Sequence, residues 1–168
     1  FTCSGKVSIS GGTIEATGTN VNAGGYSSRL YGIAFRSGGA GTCYVYITGG
    51  TVKGAKGGIY NFNPNLTMNI SGGTLGTSGT NGIESNRGTV NINGGKVYTV
   101  RCDGPATITV TNGEVYCVSL VSGAGSTGAG KLIVTGGTVG RVGSATSYYG
   151  IGNPLSNPTG TISVEISG

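Results

Sequence analysis

The chain has 168 residues, the length of one ordinary domain, and only 9% of them are charged. Its net charge of +5 comes from ten cations against five acidic residues, and the cations are spread along the chain, so the clustered basic patch of a nucleic-acid-binding protein is not expected. A weakly basic, solvated surface is one interpretation of this charge, and attraction to an acidic polysaccharide is the other. No run approaches the roughly 20 apolar residues of a membrane-spanning helix, so no membrane insertion is expected.

One short motif, aliphatic-polar-Gly-Gly-Thr-aliphatic, recurs along the chain. Successive copies begin between 18 and 38 residues apart. Lys96 and Glu114 replace the threonine in the fourth and fifth copies. Such repetition predicts an architecture in which each unit packs on its neighbours. The copies begin at Ile9, Ile47, Ile70, Ile92, Val110, Val134 and, cut short, at Ile166.

Each copy predicts the same order of elements. Before the glycines, apolar and polar residues alternate, as at Val45 and Ile47, which predicts a strand with one buried face. The Gly-Gly pair predicts a turn, because glycine accepts a positive φ without steric cost. The aliphatic residue after the pair begins a second strand. A Gly-Ile step such as Gly82-Ile83 begins a third, and Val100 takes the place of that isoleucine in the fourth repeat.

These elements predict an all-β fold: a parallel β-helix, or solenoid, of about 6–7 coils with three short strands per coil. The usual crossover preference favours a right-handed coil. A β-sandwich would not share one recurring Gly-Gly corner, and a propeller blade needs about 40 residues per repeat. We expect residues 1–168 to form a single solenoid domain. Because Ile166-Ser167-Gly168 opens another copy of the motif, we also expect this domain to be a fragment of a longer repeat protein.

Four cysteines, an even number, are compatible with two disulfides in an exported protein. Cys3 and Cys43 occupy the same inward side in adjacent repeats, so we predict a Cys3–Cys43 disulfide. Cys102 and Cys117 fall on the second side of adjacent repeats, and we predict a second disulfide between them. The alternative is four buried thiols. No metal site is expected, because the chain has no histidine and no Cys-x-x-Cys pair.

The chain offers few groups for catalysis. The absence of histidine removes the usual general base. A glycosidase needs two carboxyl groups about 5–10 Å apart, and Glu84 and Asp103, on the third side of neighbouring repeats, are the candidate pair. Arg101 lies between them in register, so a surface ion pair is the favoured interpretation. We therefore expect a protein that is not an enzyme and binds no cofactor.

The tyrosines are the candidate ligand-binding residues. Exposed rings can stack on sugar rings, although tyrosines that merely pack against neighbours are the alternative. Two long insertions, at residues 20–37 and 144–157, are further candidates, because loops on one side of a solenoid often carry function. The candidates are Tyr44 and Tyr46 on the first strand of the second repeat, Tyr60 beside Glu84 and Arg101 on the third side, and Tyr31, Tyr148 and Tyr149 in the insertions.

Three stretches carry a resemblance to a known family: Asn69-Ile70-Ser71-Gly72-Gly73-Thr74, Asn81-Gly82-Ile83-Glu84-Ser85 and Thr89-Val90-Asn91-Ile92-Asn93-Gly94-Gly95. The chain resembles the right-handed parallel β-helix surface proteins of clostridia and related bacteria, of the carbohydrate-binding-domain-containing family, some of which bind cellulose or pectin. Those relatives carry an acidic pair before the Gly-Ile step for calcium. Here Tyr31, Gly57, Asn81 and Tyr149 stand in that place, so calcium binding is not carried over.

Together these observations predict a secreted or cell-surface module for binding or adhesion that contacts polysaccharide. The alternative is a structural spacer, or a protein-binding stalk of a larger adhesin, whose partners are further repeats of its own parent chain. Neither interpretation involves nucleic acid.

Overall fold

The computed structural model describes residues 4–18, 30–36, 41–102, 104–120, 130–141 and 162–167. Their regular structure is built from β-strands, which follow one another along the chain in repeats. The strands are β1 (Gly5–Ala16), β2 (Tyr31–Phe35), β3 (Cys43–Gly54), β4 (Gly57–Asn61), β5 (Leu66–Leu75), β6 (Asn81–Ser85), β7 (Gly88–Cys102), β8 (Ala106–Leu120), β9 (Gly130–Val134), β10 (Thr138–Arg141) and β11 (Ile162–Ile166).

The strand pairs among the described residues are parallel. One row of pairs runs β1-β3-β5-β7-β8, and the shorter strands form a second row, β2-β4-β6, that joins the later part of β7. β9 pairs with β8 and β11, while β10 pairs with β8. The whole forms a parallel, solenoid-like sheet that is nearly closed on itself. The predicted all-β class and parallel stacking of repeats are confirmed.

The sequence repeat reappears as structural register. Ile9 lies opposite Ile47, which lies opposite Ile70, and the series continues through Ile92 to Val110. Each motif copy therefore stacks on the copy before it.

The Gly-Gly step bends a strand instead of ending it, which differs from the sequence prediction of two separate strands. β1, β3 and β5 each run through their glycine pair, and β7 and β8 continue through the following side as well. The ladder shifts register at this point. The second glycine has a positive φ, which is 80° at Gly73, and a Cβ there would lie 2.8 Å from the Gly50 carbonyl oxygen. Bulged glycines thus turn the corner while pairing continues on both sides of it.

The core is an aliphatic column inside the nearly closed sheet. Its side chains come from the alternating inward positions that the sequence predicts. Fully burying one Val, Ile or Leu contributes about 1.5–3 kcal/mol. The residues of the column with no exposed surface include Val45, Ile47, Val52, Ile59, Met68, Ile70, Leu75, Ile83, Val90, Ile92, Val97, Val100, Ile108, Val110, Val115 and Leu132.

The third side begins at the Gly-Ile step. A Cβ on Gly82 would lie 2.7 Å from Cγ1 of Val97 and 2.8 Å from the Leu75 carbonyl oxygen, so only glycine fits against the neighbouring strand. Ile83 then points into the core, and Val100 lies opposite it in β7. The predicted equivalence of Val100 and Ile83 is confirmed.

The predicted disulfide between Cys102 and Cys117 is wrong, since both residues carry thiols. In the β7–β8 register Cys102 lies opposite Leu120 and Cys117 lies opposite Thr99. The two cysteines are therefore about 10 Å apart along the strands at roughly 3.3 Å per residue, beyond the ~7 Å between Cα atoms that a disulfide spans. The Cys102 thiol instead donates to the Gly104 carbonyl oxygen at 3.0 Å.

Cys43 is fully buried at the start of β3, where Gly5 lies opposite it. Cys3 lies outside the described residues, so the Cys3–Cys43 disulfide stays a prediction.

Candidate functional site

The outward residues of the first side form two mostly polar columns, which together we call the first-side face. Strand alternation turns these side chains to the surface, and parallel pairing places equivalent residues about 4.8 Å apart. One column contains Lys6, Tyr44, Thr67, Thr89, Thr107 and Lys131, and the other contains Ser8, Tyr46, Asn69, Asn91, Thr109 and Ile133.

Tyr44 and Tyr46 form an aromatic platform at one end of this face. They lie two residues apart on one strand, so both rings point outward as the sequence predicts. Their centroids are 6.3 Å apart and their planes differ by 24°. Tyr44 is 41% exposed, Tyr46 is half-buried, and the Lys6 ammonium lies 4.7 Å from the Tyr46 ring centroid. The two rings present amphipathic surface to solvent.

Hydrogen-bonding side chains continue the face beyond the platform. The Asn91 amide nitrogen donates to the Asn69 side-chain oxygen at 2.9 Å, which fixes both amides. Thr67, Thr89 and Thr107 follow Tyr44 in the neighbouring column and are half-buried. The face therefore offers an ordered row of hydroxyl and amide groups beside two aromatic rings.

An open groove of about 360 Å³ borders the threonine column. Two buried side chains fix its edge, because Asn61 and Ser85 donate to the Arg87 carbonyl oxygen at 2.6 Å and 2.8 Å. The Arg87 guanidinium lies 4.8 Å from the Phe62 ring centroid. Among the described residues none that lines the groove is acidic: they are Pro64, Arg87, Gly88, Thr89, Pro105 and Thr107.

The third side brings together four of the predicted ligand-binding residues. Tyr60 lies opposite Glu84, which lies opposite Arg101, as the repeat alignment predicts. Tyr31 joins them from β2, and its ring centroid is 5.5 Å from that of Tyr60. We call Tyr31, Tyr60, Asn81, Glu84 and Arg101 the third-side cluster.

Tyr31 is buried in this cluster, with only 5% of its surface exposed, which corrects the expectation of an exposed ring in an insertion. It begins β2 opposite Gly57, where no side chain intervenes, and its hydroxyl donates to the Glu84 carboxylate two repeats away. The Asn81 amide donates at 3.0 Å to both the Tyr31 hydroxyl and Glu84. Tyr31 is thus a clasp between the first and third repeats.

The electrostatics of the clasp favour a protonated tyrosine. Burial raises the pKa of Tyr31 above its usual value, and the neighbouring Glu84 charge and the hydrogen bond to it raise that pKa further. The phenol therefore remains a hydrogen-bond donor throughout the neutral pH range. These hydrogen bonds give the Glu84 carboxylate a structural role. Of the other cluster residues, Tyr60 is half-buried and Arg101 is exposed.

The second side carries an aromatic pair that the sequence analysis missed. Tyr98 and Tyr116 stack with centroids 5.0 Å apart and planes 21° apart, and Tyr116 is 39% exposed. Each lies three residues after the second glycine of its motif, Gly95 or Gly113. This shared offset in adjacent repeats is the signal that predicts the pair.

Two predicted tyrosines, Tyr148 and Tyr149, and the carboxylate of Asp103 lie outside the described residues. Within the described part, no group of three or more Cys, Asp or Glu residues is placed to hold a metal ion. The described residues also contain no helix that is long and apolar enough to cross a bilayer. Comparison of the chain with protein-family models, with curated proteins and with solved structures finds no match.

Proposed function

We propose that this chain is a non-catalytic extracellular module that binds polysaccharide, with the glycan strand lying along the first-side face. The observation that carries the proposal is the Tyr44–Tyr46 platform, which continues into columns of threonine and asparagine. Aromatic rings stack on the apolar faces of sugars, and the neighbouring amides and hydroxyls suit sugar hydroxyl groups.

The fixed arrangement of polar groups on the face supports this proposal. The Asn69–Asn91 hydrogen bond and the buried backbone ladder hold the polar groups in place before a ligand arrives. Binding then requires little ordering of side chains, which lowers its entropic cost. A long repetitive ligand suits a face whose own groups repeat at the strand spacing of about 4.8 Å.

The finer architecture belongs to the same proposal. We take the chain to be a right-handed parallel β-helix of about 6–7 coils, consistent with the crossover preference of parallel strands and with its resemblance to bacterial surface proteins. The predicted Cys3–Cys43 disulfide favours a secreted or cell-surface location, because disulfides persist in oxidising compartments. A rod of this kind displays one face along its whole length.

Variants of the platform test the proposed function. Purified chain is incubated with insoluble cellulose, chitin and pectin, and the depletion of protein from solution is measured at low and high salt. Replacing both rings with leucine (Tyr44→Leu, Tyr46→Leu) keeps apolar bulk but removes the stacking surface, and we expect at least a tenfold loss of affinity. The matched control, Tyr44→Phe with Tyr46→Phe, keeps the rings and should retain most of the binding.

The salt dependence identifies the kind of glycan. Retention that is insensitive to salt indicates stacking on neutral sugar, whereas loss at high salt indicates cations such as Lys6 and Arg87 acting on an acidic polymer. If the polymers deplete the leucine and phenylalanine variants from solution to the same extent, the assignment of binding to the first-side face is overturned. Absence of retention on all three polymers would reject polysaccharide binding and favour the spacer.

A further inference from the structure

The stacked pair on the second side has a defined origin in the strand register. Val97 lies opposite Val115, and Thr99 lies opposite Cys117, so Tyr98 and Tyr116 are neighbours in adjacent strands. Their centroid distance of 5.0 Å is close to the ~4.8 Å spacing of parallel strands. The pairing of the two strands therefore holds the rings stacked and nearly parallel.

The next position in this column is a glycine. β10 places Val139 opposite Val115 and Arg141 opposite Cys117, so Gly140 lies opposite Tyr116. Gly140 is exposed, and Tyr116 keeps 39% of its surface in contact with solvent. The column of aromatic rings is thus followed by a position without a side chain.

The backbone does not require this glycine. Gly140 has no positive φ, and a Cβ there would meet its nearest atom, the Tyr116 carbonyl oxygen, at 3.8 Å, which is an ordinary contact. Gly73 and Gly82, by contrast, are fixed by a positive φ or by close approach to another strand. As far as the described residues extend, the absent side chain at Gly140 leaves space beside the Tyr116 ring.

Polar side chains line this space. Lys96, Glu114 and Thr138 form the adjacent column, two residues before Tyr98, Tyr116 and Gly140. The Lys96 ammonium lies 4.7 Å from the Tyr116 ring centroid and 3.9 Å from a Glu114 carboxylate oxygen. Its hydrogen bond with Tyr116 raises the pKa of Lys96, and the Glu114 charge raises it further, so the ammonium stays charged at neutral pH.

We propose that Tyr116 and the open position at Gly140 form a second saccharide site, in which one pyranose ring of a glycan stacks on Tyr116 as the next ring of the column. Glu114 accepts from the sugar hydroxyls, and Lys96 and Thr138 donate to them. A pyranose fits because it has an apolar face for the tyrosine and hydroxyl groups at its edge for the neighbouring polar column. This site lies on a different side from the first-side face and does not depend on binding there.

The test follows the tyrosine ring signals of the full chain by NMR during titration with soluble oligosaccharides prepared from cellulose, chitin and pectin. We expect saturable shifts of the Tyr116 and Tyr98 signals with at least one of these sugars. Gly140→Tyr places a ring of the chain itself in the open position and should abolish those shifts. Gly140→Ala adds only a methyl group, and binding should weaken by less than tenfold.

Two comparisons separate this site from the first-side face. The Tyr44→Leu, Tyr46→Leu variant should leave the Tyr116 shifts unchanged, and Gly140→Tyr should leave retention by the first-side face intact. A thermal melt confirms that Gly140→Tyr remains folded, and Tyr116→Ala provides a second loss-of-binding variant if it does not. The proposal is overturned if the Tyr116 signals do not respond to any sugar, or if a free nucleoside or aromatic peptide shifts them while the sugars do not. It is also overturned if the Tyr98 signals respond to the sugar in Gly140→Tyr and in Tyr116→Ala as they do in the parent.

Discussion

At the scale of single residues, the clearest stabilising contact is the buried Tyr31 clasp. Its hydroxyl donates to Glu84 two repeats away, and Asn81 bonds both groups. The ring passes over Gly57, at which a Cβ would lie 2.7 Å from the Tyr31 ring. One tyrosine therefore joins β2 to β6, the two strands that flank β4 in this row.

Removing the Tyr31 hydroxyl should destabilise the chain. Tyr31→Phe leaves the ring but removes a hydrogen bond to a carboxylate, for which we expect a loss of about 1–3 kcal/mol. Urea unfolding followed by circular dichroism measures the change. Tyr44→Phe, which alters an exposed tyrosine, is the matched control and should change the free energy by less than about 0.5 kcal/mol. An equal response of the two variants would refute the clasp.

The raised pKa of Tyr31 predicts a loss of stability at alkaline pH. Tyrosine in the unfolded chain ionises near pH 10, whereas folded Tyr31 holds its proton to higher pH. Its contribution is therefore complete below pH 10 and decreases above it, by up to about 1.4 kcal/mol per pH unit. Unfolding free energies measured between pH 9 and about 11 should fall less steeply in Tyr31→Phe than in the parent. Parallel pH profiles would contradict the assignment.

At the scale of elements, the Gly-Gly corner determines how the strands run. Alternation and motif spacing predict which residues are inward, and the buried column agrees with that prediction. The sequence does not reveal that pairing continues around the corner, because a glycine pair is as compatible with a loop as with a bulged strand. Nor does it reveal the strand-by-strand register, on which the error at Cys102 and Cys117 depends.

Alanine substitutions at the corner test the stacking of repeats. A Cβ on Gly72 would collide with the Thr48 carbonyl oxygen of the preceding repeat, whereas a Cβ on Gly11, the same motif position in β1, meets no atom within 4 Å. We expect Gly72→Ala to cost about 1–3 kcal/mol. Gly11→Ala should be nearly neutral. Thermal melts of the two variants decide the matter, and a Gly11→Ala loss as large as that of Gly72→Ala would argue against this stacking.

At the scale of the whole molecule, parallel pairing aligns the outward residues of successive repeats into columns, and these columns form the surfaces described above. The outward position of Tyr44 and Tyr46 and the neighbourhood of Tyr60, Glu84 and Arg101 follow from sequence parity alone. The burial of Tyr31 does not, since it depends on the empty space above Gly57 in another repeat. The Tyr98–Tyr116 pair is indicated in the sequence only by the equal distance of its members from the second glycine of their motifs.

The cysteines allow a prediction about the chain as a whole. We expect the oxidised protein to contain one disulfide, between Cys3 and Cys43, and thiols at Cys102 and Cys117. Alkylation under denaturing conditions without reductant, followed by peptide mass mapping, measures this directly. Recovery of a Cys102–Cys117 crosslinked peptide would contradict the expectation. Recovery of Cys3 and Cys43 solely as alkylated thiols, with no crosslinked peptide between them, would contradict it as well.

Footprinting of the bound protein shows whether a glycan strand lies on the first-side face. Hydroxyl radicals oxidise exposed tyrosines, and peptide mass spectrometry compares the rates for protein in solution and protein retained on the polymer. We predict that oxidation of Tyr44 and Tyr46 slows several-fold on binding, while that of Tyr60 on the third side does not change. Unaltered rates at Tyr44 and Tyr46, with retention on the polymer intact, would place the glycan elsewhere and rule out binding on the first-side face.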